Sequence, residues 1–155
     1  MSKDHNILLS FINCLQRLDF EGMRGICGNG LQYFDPLYGY LKKEEVVNLW
    51  RLKYEIDNIQ IVKFDQPENL GEGYYKFKCN IRYGLKIAIE IEQPLQFHCR
   101  VENGLITEYI EAFSLHKMAQ IHSPFLGWLL GWNKYYQNRM KIKARKRLFD
   151  LMKEE

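Results

Sequence analysis

The chain has 155 residues, with 22 Lys and Arg against 19 Asp and Glu, a net charge of +3 and 46% hydrophobic residues. That length predicts one domain and one core burying roughly two thirds of the unfolded chain's surface, and the composition excludes a disordered chain. The charge is uneven: from Lys117 onward nine basic residues face three acids, so the basic character belongs to the tail and the first 116 residues are net negative.

Residues 4–18 carry Ile7, Leu8, Phe11, Ile12, Leu15 and Leu18 at three- and four-residue spacing, which predicts an amphipathic helix with Asp4 as its cap. Because Ser10, Asn13, Gln16 and Arg17 interrupt it, the start lacks the apolar centre of a signal peptide. A second, weaker helix over 19–27 is stopped by Gly28-Asn29-Gly30. A short strand over 31–35 ends in Asp35, a turn Pro36-Leu37-Tyr38-Gly39 follows, and a third helix over 43–55 carries Val46, Val47 and Trp50. Glu44 and Glu45 suit its positive N-terminal end.

From Asp57 the apolar period changes to two. Strands are predicted over 59–64, 75–83, 87–91, 95–101 and 105–115, with turns at Gln66 to Gly71 and at Glu102-Asn103-Gly104 and an interruption at Pro94. Glu90 and Glu92, beside Lys86, read as a solvated strand face. Helices followed by an antiparallel meander make an α+β fold with helices on one face of a curved sheet.

The remaining residues predict an apolar loop or broken helix over 123–132 and a basic helix over 133–153. This divides the chain into a domain of residues 1–118 and an extension of residues 119–155 packed on the same domain. The uncharged run over 124–132 is well short of the ~20 residues that cross a bilayer, so a cytoplasmic protein is expected. For the tail the first reading is a helix docked on the domain or on a second subunit. The second is weak contact with an anionic membrane through the Trp-containing segment and the Lys/Arg face. No nucleic-acid partner is expected, because no binding motif accompanies the charge.

Cys14, Cys27, Cys79 and Cys99 are scattered, with no Cys-x-x-Cys pair and no His at zinc-finger spacing. They read as buried thiols, and no metal or cofactor is expected. His116 and His122 stand in no ligand arrangement.

The Phe34-Asp35-Pro36-Leu37-Tyr38-Gly39 stretch, the Glu44-Glu45-Val46-Val47 helix start and the Glu102-Asn103-Gly104-Leu105-Ile106-Thr107-Glu108 strand turn together resemble the nuclear transport factor 2-like superfamily. That group includes ketosteroid isomerases, SnoaL-like polyketide cyclases and limonene-epoxide hydrolases. The resemblance covers about residues 4–115, and the tail looks similar to that of a bacterial SnoaL-like subgroup of unknown function. It implies a cone formed by a curved sheet closed by three N-terminal helices, a hydrophobic pocket inside, and a homodimer across the sheet.

The resemblance places Asp35 at the position of the isomerase general base, which abstracts a proton beside a carbonyl and works with a Tyr and a protonated Asp as oxyanion donors. Gln96 stands where the isomerases carry that protonated acid, and Cys14 stands near the place of the donor Tyr. The Arg-x-Asp pairing of the epoxide hydrolases is absent from the penultimate strand.

Strict alternation puts His98 on the face of Gln96, and puts Tyr109, Glu111 and Phe113 on one face with Thr107. Asp35, Gln96, His98, Tyr109 and Glu111 are therefore expected to converge, with Tyr38 and Trp50 nearby. In that constellation Asp35 is the base, Gln96 and Tyr109 hold the oxyanion, and His98 or Glu111 returns the proton. Each residue also has a plainer reading. Asp35 sets an Asp-Pro turn, His98 is a structural hydrogen-bonding residue, Glu111 pairs with an Arg or Lys, and Trp50 and Phe113 belong to the core. The functional expectation is a pocket for a small, apolar, oxygenated molecule. It serves a cofactor-independent isomerase, cyclase or hydratase, or else a non-catalytic ligand-binding or dimeric module. A membrane-surface protein directed by the tail is the remaining alternative.

Overall fold

A computed structural model describes residues 3–83 and 91–154. The predicted strand over 87–91, with Lys86 and Glu90, lies largely outside the described residues. The first helix, α1 (Lys3–Arg17), buries Leu8, Phe11, Ile12 and Leu15, which is the face its apolar spacing selects. Asp4 sits inside its first turn rather than before it. Leu18 takes a positive φ of 59°, and Asp19 caps α2 (Phe20–Ile26) by accepting the Gly22 N–H at 2.8 Å.

The glycines at 28 and 30 lie inside a strand instead of stopping a helix. β1 runs Cys27–Asp35, and a Cβ on Gly28 would meet the Ile106 carbonyl oxygen at 3.4 Å. A glycine there lets β1 approach its neighbour closely. β2 (Gly39–Leu41) folds back on β1, and α3 (Lys43–Arg51) follows. The Glu45 carboxylate accepts the Lys42 N–H at 2.6 Å at the start of α3. Beyond Arg51 the helix widens into a π-helical turn, Leu52–Ile56, closed by Asp57 N–H on the Leu52 carbonyl.

Five further strands follow: β3 (Ile59–Phe64), β4 (Glu68–Gly71), β5 (Tyr74–Tyr83), β6 (Ile91–Glu102) and β7 (Leu105–Ala112). β4 occupies the predicted turn, and the reversal falls at Gly71, Glu72 and Gly73, all with positive φ. β6 passes through Pro94 without a register shift. The β6–β7 hairpin turns at Asn103 and Gly104, both with positive φ as a two-residue Asn-Gly turn requires.

The order β2-β1-β7-β6-β5-β3 gives a curved, unclosed mixed sheet, with β4 also paired to β5. The strands from β3 to β7 pair antiparallel, as the meander expected from residue 59 onward requires, and β1, which precedes it, joins β7 in parallel and makes the sheet mixed. The last strand stops at Ala112, and Ser114 caps α4 (Leu115–His122). α5 (Pro124–Leu130) and α6 (Lys134–Lys153) complete the chain. α6 packs along α3 and places Leu148 in the core, with Ala144, Leu151 and Met152 against it.

Candidate functional site

Two neighbouring parallel strands create the site. In the β1–β7 register Tyr33 pairs with Tyr109 and Phe34 with Ile110, so Asp35 and Glu111, the next residues, come side by side on the inner face. Tyr33 stacks on Tyr109 with centroids 5.2 Å apart. Asp35 and Glu111 are 0% and 1% exposed. Two carboxylates held this way repel each other in a poorly solvated interior, and a cation between them offsets the repulsion.

That cation is Lys53. It stands in the π-turn, one turn after Trp50, where it continues the apolar stripe of α3. Its Nζ is 3.0 Å from Glu111 Oε2, 3.4 Å from Asp35 Oδ2 and 4.5 Å from the Trp50 ring centroid. Tyr33 donates its hydroxyl to Glu111 Oε1 at 2.6 Å. Asp35 Oδ1 accepts the N–H groups of Leu37 (2.6 Å) and Tyr38 (2.9 Å), forming the turn expected of an Asp-Pro pair. One residue therefore sets the turn and anchors Lys53.

The electrostatics follow from this packing. Burial pushes Glu111 up to about 7 from 4.5; Lys53 opposes the rise and Asp35 adds to it. Burial alone would lower Lys53, but Glu111 and Asp35 outweigh it, and the ammonium is held above its ordinary range. Lys53 is therefore a fixed cation and hydrogen-bond donor rather than a neutral amine nucleophile. Burial likewise holds the Tyr33 hydroxyl well above its usual range, so it remains a donor.

Lys53 and Glu111 form the polar floor of a cavity of about 870 Å³ between the sheet and α6. This falls within the range of about 300–1,000 Å³ usual for small-molecule sites. Leu37, Ile59, Ile81, Leu95, Phe113 and Met118 supply apolar wall, and Tyr38 and Asp57 add polar groups. α6 closes the side with Tyr136, Arg139, Lys143 and Arg147, and Arg147 is paired to Asp57 at 2.6 Å.

The expected constellation is only partly assembled. Glu111, Tyr38 and Phe113 line the cavity, and Asp35 lies behind Lys53. Trp50 is fully buried beneath Lys53, and Tyr109 is buried in the aromatic stack. The hydroxyl of Tyr109 and the indole nitrogen of Trp50 have no hydrogen-bond partner among the described residues.

Gln96 and His98 do not converge with them. β6 buries Leu95, Phe97, Cys99 and Val101, so Gln96 and His98 lie on the opposite, half-exposed face, where their side chains contact each other. Thr107 also leaves the expected face. A register irregularity between the Arg100–Glu108 and Val101–Ile106 pairs lets Ile106 share the inner face with Tyr109 and Glu111. Cys14 sits at the α1–α2 turn, with Sγ 4.0 Å from Asp19 Oδ2, away from the cavity. The thiols of Cys27, Cys79 and Cys99 are buried and raised by that burial, which leaves them unreactive.

Among the described residues, no group of three or more His, Cys, Asp or Glu side chains is arranged to hold a metal ion. No described helix is long and apolar enough to cross a membrane. Lys53, Tyr33 and the basic wall of α6 are the residues of the candidate site that the sequence reading does not include. A signal for Lys53 existed, since it continues the stripe of Val46, Val47 and Trp50, where a charge has no reason to stand unless it is paired.

No family model matches the chain, and no curated protein matches it. Solved structures do. An NTF2-like protein of unknown function from Burkholderia pseudomallei superimposes with a TM-score of 0.68 at 15% identity, covering 79% of this chain and 99% of that one. An M. tuberculosis LEH-like epoxide hydrolase gives 0.61 at 16% identity, covering 83% and 91%. A protein with a ketosteroid isomerase-like fold from Catenulispora acidiphila, in complex with trimethylamine, gives 0.57 at 15% identity, covering 71% and 86%. At such identities the likeness concerns architecture: this chain has the cone fold of the NTF2-like, ketosteroid isomerase-like proteins.

Proposed function

We propose that the chain is a small-molecule acid–base catalyst that needs no cofactor, with Glu111 as the proton carrier and Lys53 as the charge-stabilising partner. The observation that carries this reading is the Lys53 ammonium held between two buried carboxylates at the floor of a cavity with apolar walls and a basic side. A carboxyl that titrates near neutrality is suited to take and return a proton at that pH. In a substrate with a carbonyl, the Glu111 carboxylate removes a proton from the adjacent carbon. The electron pair moves to the carbonyl oxygen, where Lys53 meets the new negative charge. The Glu111 carboxylic acid then returns the proton to another position of the same molecule.

Asp35, expected as the base, acts in this reading as the residue that fixes Lys53. Both its oxygens are engaged, and it does not line the cavity. A non-catalytic ligand-binding role is the second reading. It is favoured by Glu111 being already satisfied by Tyr33 and Lys53.

Deuterium exchange into the carbon acids of a panel of apolar ketones, followed by mass spectrometry, separates the two. Catalysis predicts exchange by the wild type that Glu111→Gln lowers by at least about 100-fold, the usual worth of a general base. Ligand binding without exchange, or equal exchange in both proteins, overturns it.

A further inference from the structure

α5 inverts the usual economy of a surface helix. Its inward contact is made by glycine: Gly127 is buried, and a Cβ there would collide with the backbone of Ala119 in α4. Gly131 closes the helix against the Gly127 carbonyl and the His116 ring. The small residues face in, so the large ones face out. Phe125 is 73% exposed, Trp128 65% and Trp132 69%, with Leu126 and Leu129 each at 47%. A soluble surface rarely leaves so many large apolar groups together without a partner.

The adjoining helix indicates the partner. α6 carries eight Lys and Arg against one acid, Asp150. On the side opposite the buried Leu148, Tyr135, Arg139, Ile142 and Lys146 recur at helical spacing; Tyr135 and Ile142 are 72% and 68% exposed, and Arg139, Ile142 and Lys146 also edge the cavity, so this face runs along its rim. Tryptophan and phenylalanine beside interleaved lysine and arginine are the chemistry of a surface that rests in the headgroup layer of an anionic bilayer. A second copy fits less well, because a two-fold contact through α5 would bring two strongly basic α6 helices together. Spanning is not involved, since α5 has only seven residues.

The geometry points to α5 and the outer face of α6 as a docking surface for a membrane rich in anionic phospholipid. The aromatic side chains enter the interface and the basic side chains meet the headgroups. The cavity wall formed by Met118, Ala119 and Ser123 belongs to α4 and its junction with α5, so docking brings that wall close to the lipid.

The test is sedimentation of the full chain with vesicles of phosphatidylcholine alone and of phosphatidylcholine with phosphatidylserine, at low and high salt. The wild type is expected to bind the anionic vesicles, to bind the neutral ones weakly and to be released by salt. The triple variant Phe125→Ser, Trp128→Ser, Trp132→Ser and the double variant Arg139→Glu, Lys146→Glu alter exposed side chains. Each is expected to lose at least about tenfold in binding, and circular dichroism verifies that they fold. Absence of wild-type binding to anionic vesicles overturns the proposal, as does equal binding by the variants. Light scattering that shows a wild-type oligomer dispersed by the triple variant also overturns it, by assigning the patch to contact between copies.

Discussion

Lys53 Nζ stands 3.0 Å from Glu111 Oε2 although the two residues come from a helix and a strand 58 positions apart. Both side chains are almost fully buried, so their interaction is strong and its loss is costly. Removing one partner leaves an uncompensated charge, and this asymmetry makes the pair testable.

Lys53→Met leaves Asp35 and Glu111 without their cation. Destabilisation of about 3–5 kcal/mol is expected at alkaline pH. Because Lys53 lowers the Glu111 pKa, its removal raises it, and protonation of Glu111 then relieves the repulsion. The deficit should therefore shrink as the pH falls from alkaline values toward 7, and level off below 7, where Glu111 is protonated in both proteins. Urea denaturation of both proteins at several pH values measures it, and a pH-independent deficit contradicts the arrangement.

Glu111 has its own signature in stability. Its folded pKa, about 7, lies above its unfolded value of 4.5, so the native state binds the extra proton between those limits. The contribution is fully present below 4.5 and is lost as the pH rises through 7. Relative to Glu111→Gln, the wild type should lose about 3 kcal/mol across that window. Thermal melts of the two proteins in parallel provide the comparison.

Asp35 has two duties that substitution can separate. Asp35→Asn retains an oxygen for the Leu37 and Tyr38 N–H groups but removes the charge that anchors Lys53. Asp35→Ala removes both. Ala should cost about 1–3 kcal/mol more than Asn, the penalty for buried donors left unpaired. Chemical denaturation at one pH distinguishes them, and equal costs would mean that the turn bonds add nothing.

Gly73 has φ of +80°, and a Cβ there would lie 2.6 Å from the Val101 carbonyl oxygen. The same glycine's carbonyl accepts the Val101 N–H at 2.9 Å. Gly73→Ala is expected to destabilise by about 2 kcal/mol or more, through strain and forced displacement of β6. Gly30, with nothing near its Cβ position, is the control. Gly30→Ala should cost well under about 1 kcal/mol, and similar melting shifts for both would contradict the close approach.

Much of the fold is legible in the sequence because period and punctuation agree. The stripe from Ile7 to Leu15, the alternation from Tyr75 to Ile81 and the Asn103-Gly104 turn each have one reading that buries apolar side chains. The candidate site is legible only in pieces. Asp35, Glu111, Tyr38 and Phe113 are identifiable because short-range alternation and the turn place them. The inner face of β6 is not fixed by alternation alone, which allows either set: Leu95, Phe97 and Cys99 occupy it, and Gln96 and His98 face away. The irregularity at Thr107 left no mark in composition, and the parallel β1–β7 pairing that aligns Asp35 with Glu111 is a long-range choice that local periodicity does not encode. Lys53 is not legible from sequence because a lysine on an apolar stripe acquires its meaning only from two carboxylates distant in the chain.

Carbon-13 NMR titration of the Glu111 side-chain carboxyl tests the central claim most directly. Our account predicts a midpoint near 7 in the wild type and a higher one in Lys53→Met. A midpoint near 4.5, unmoved by that substitution, would contradict it.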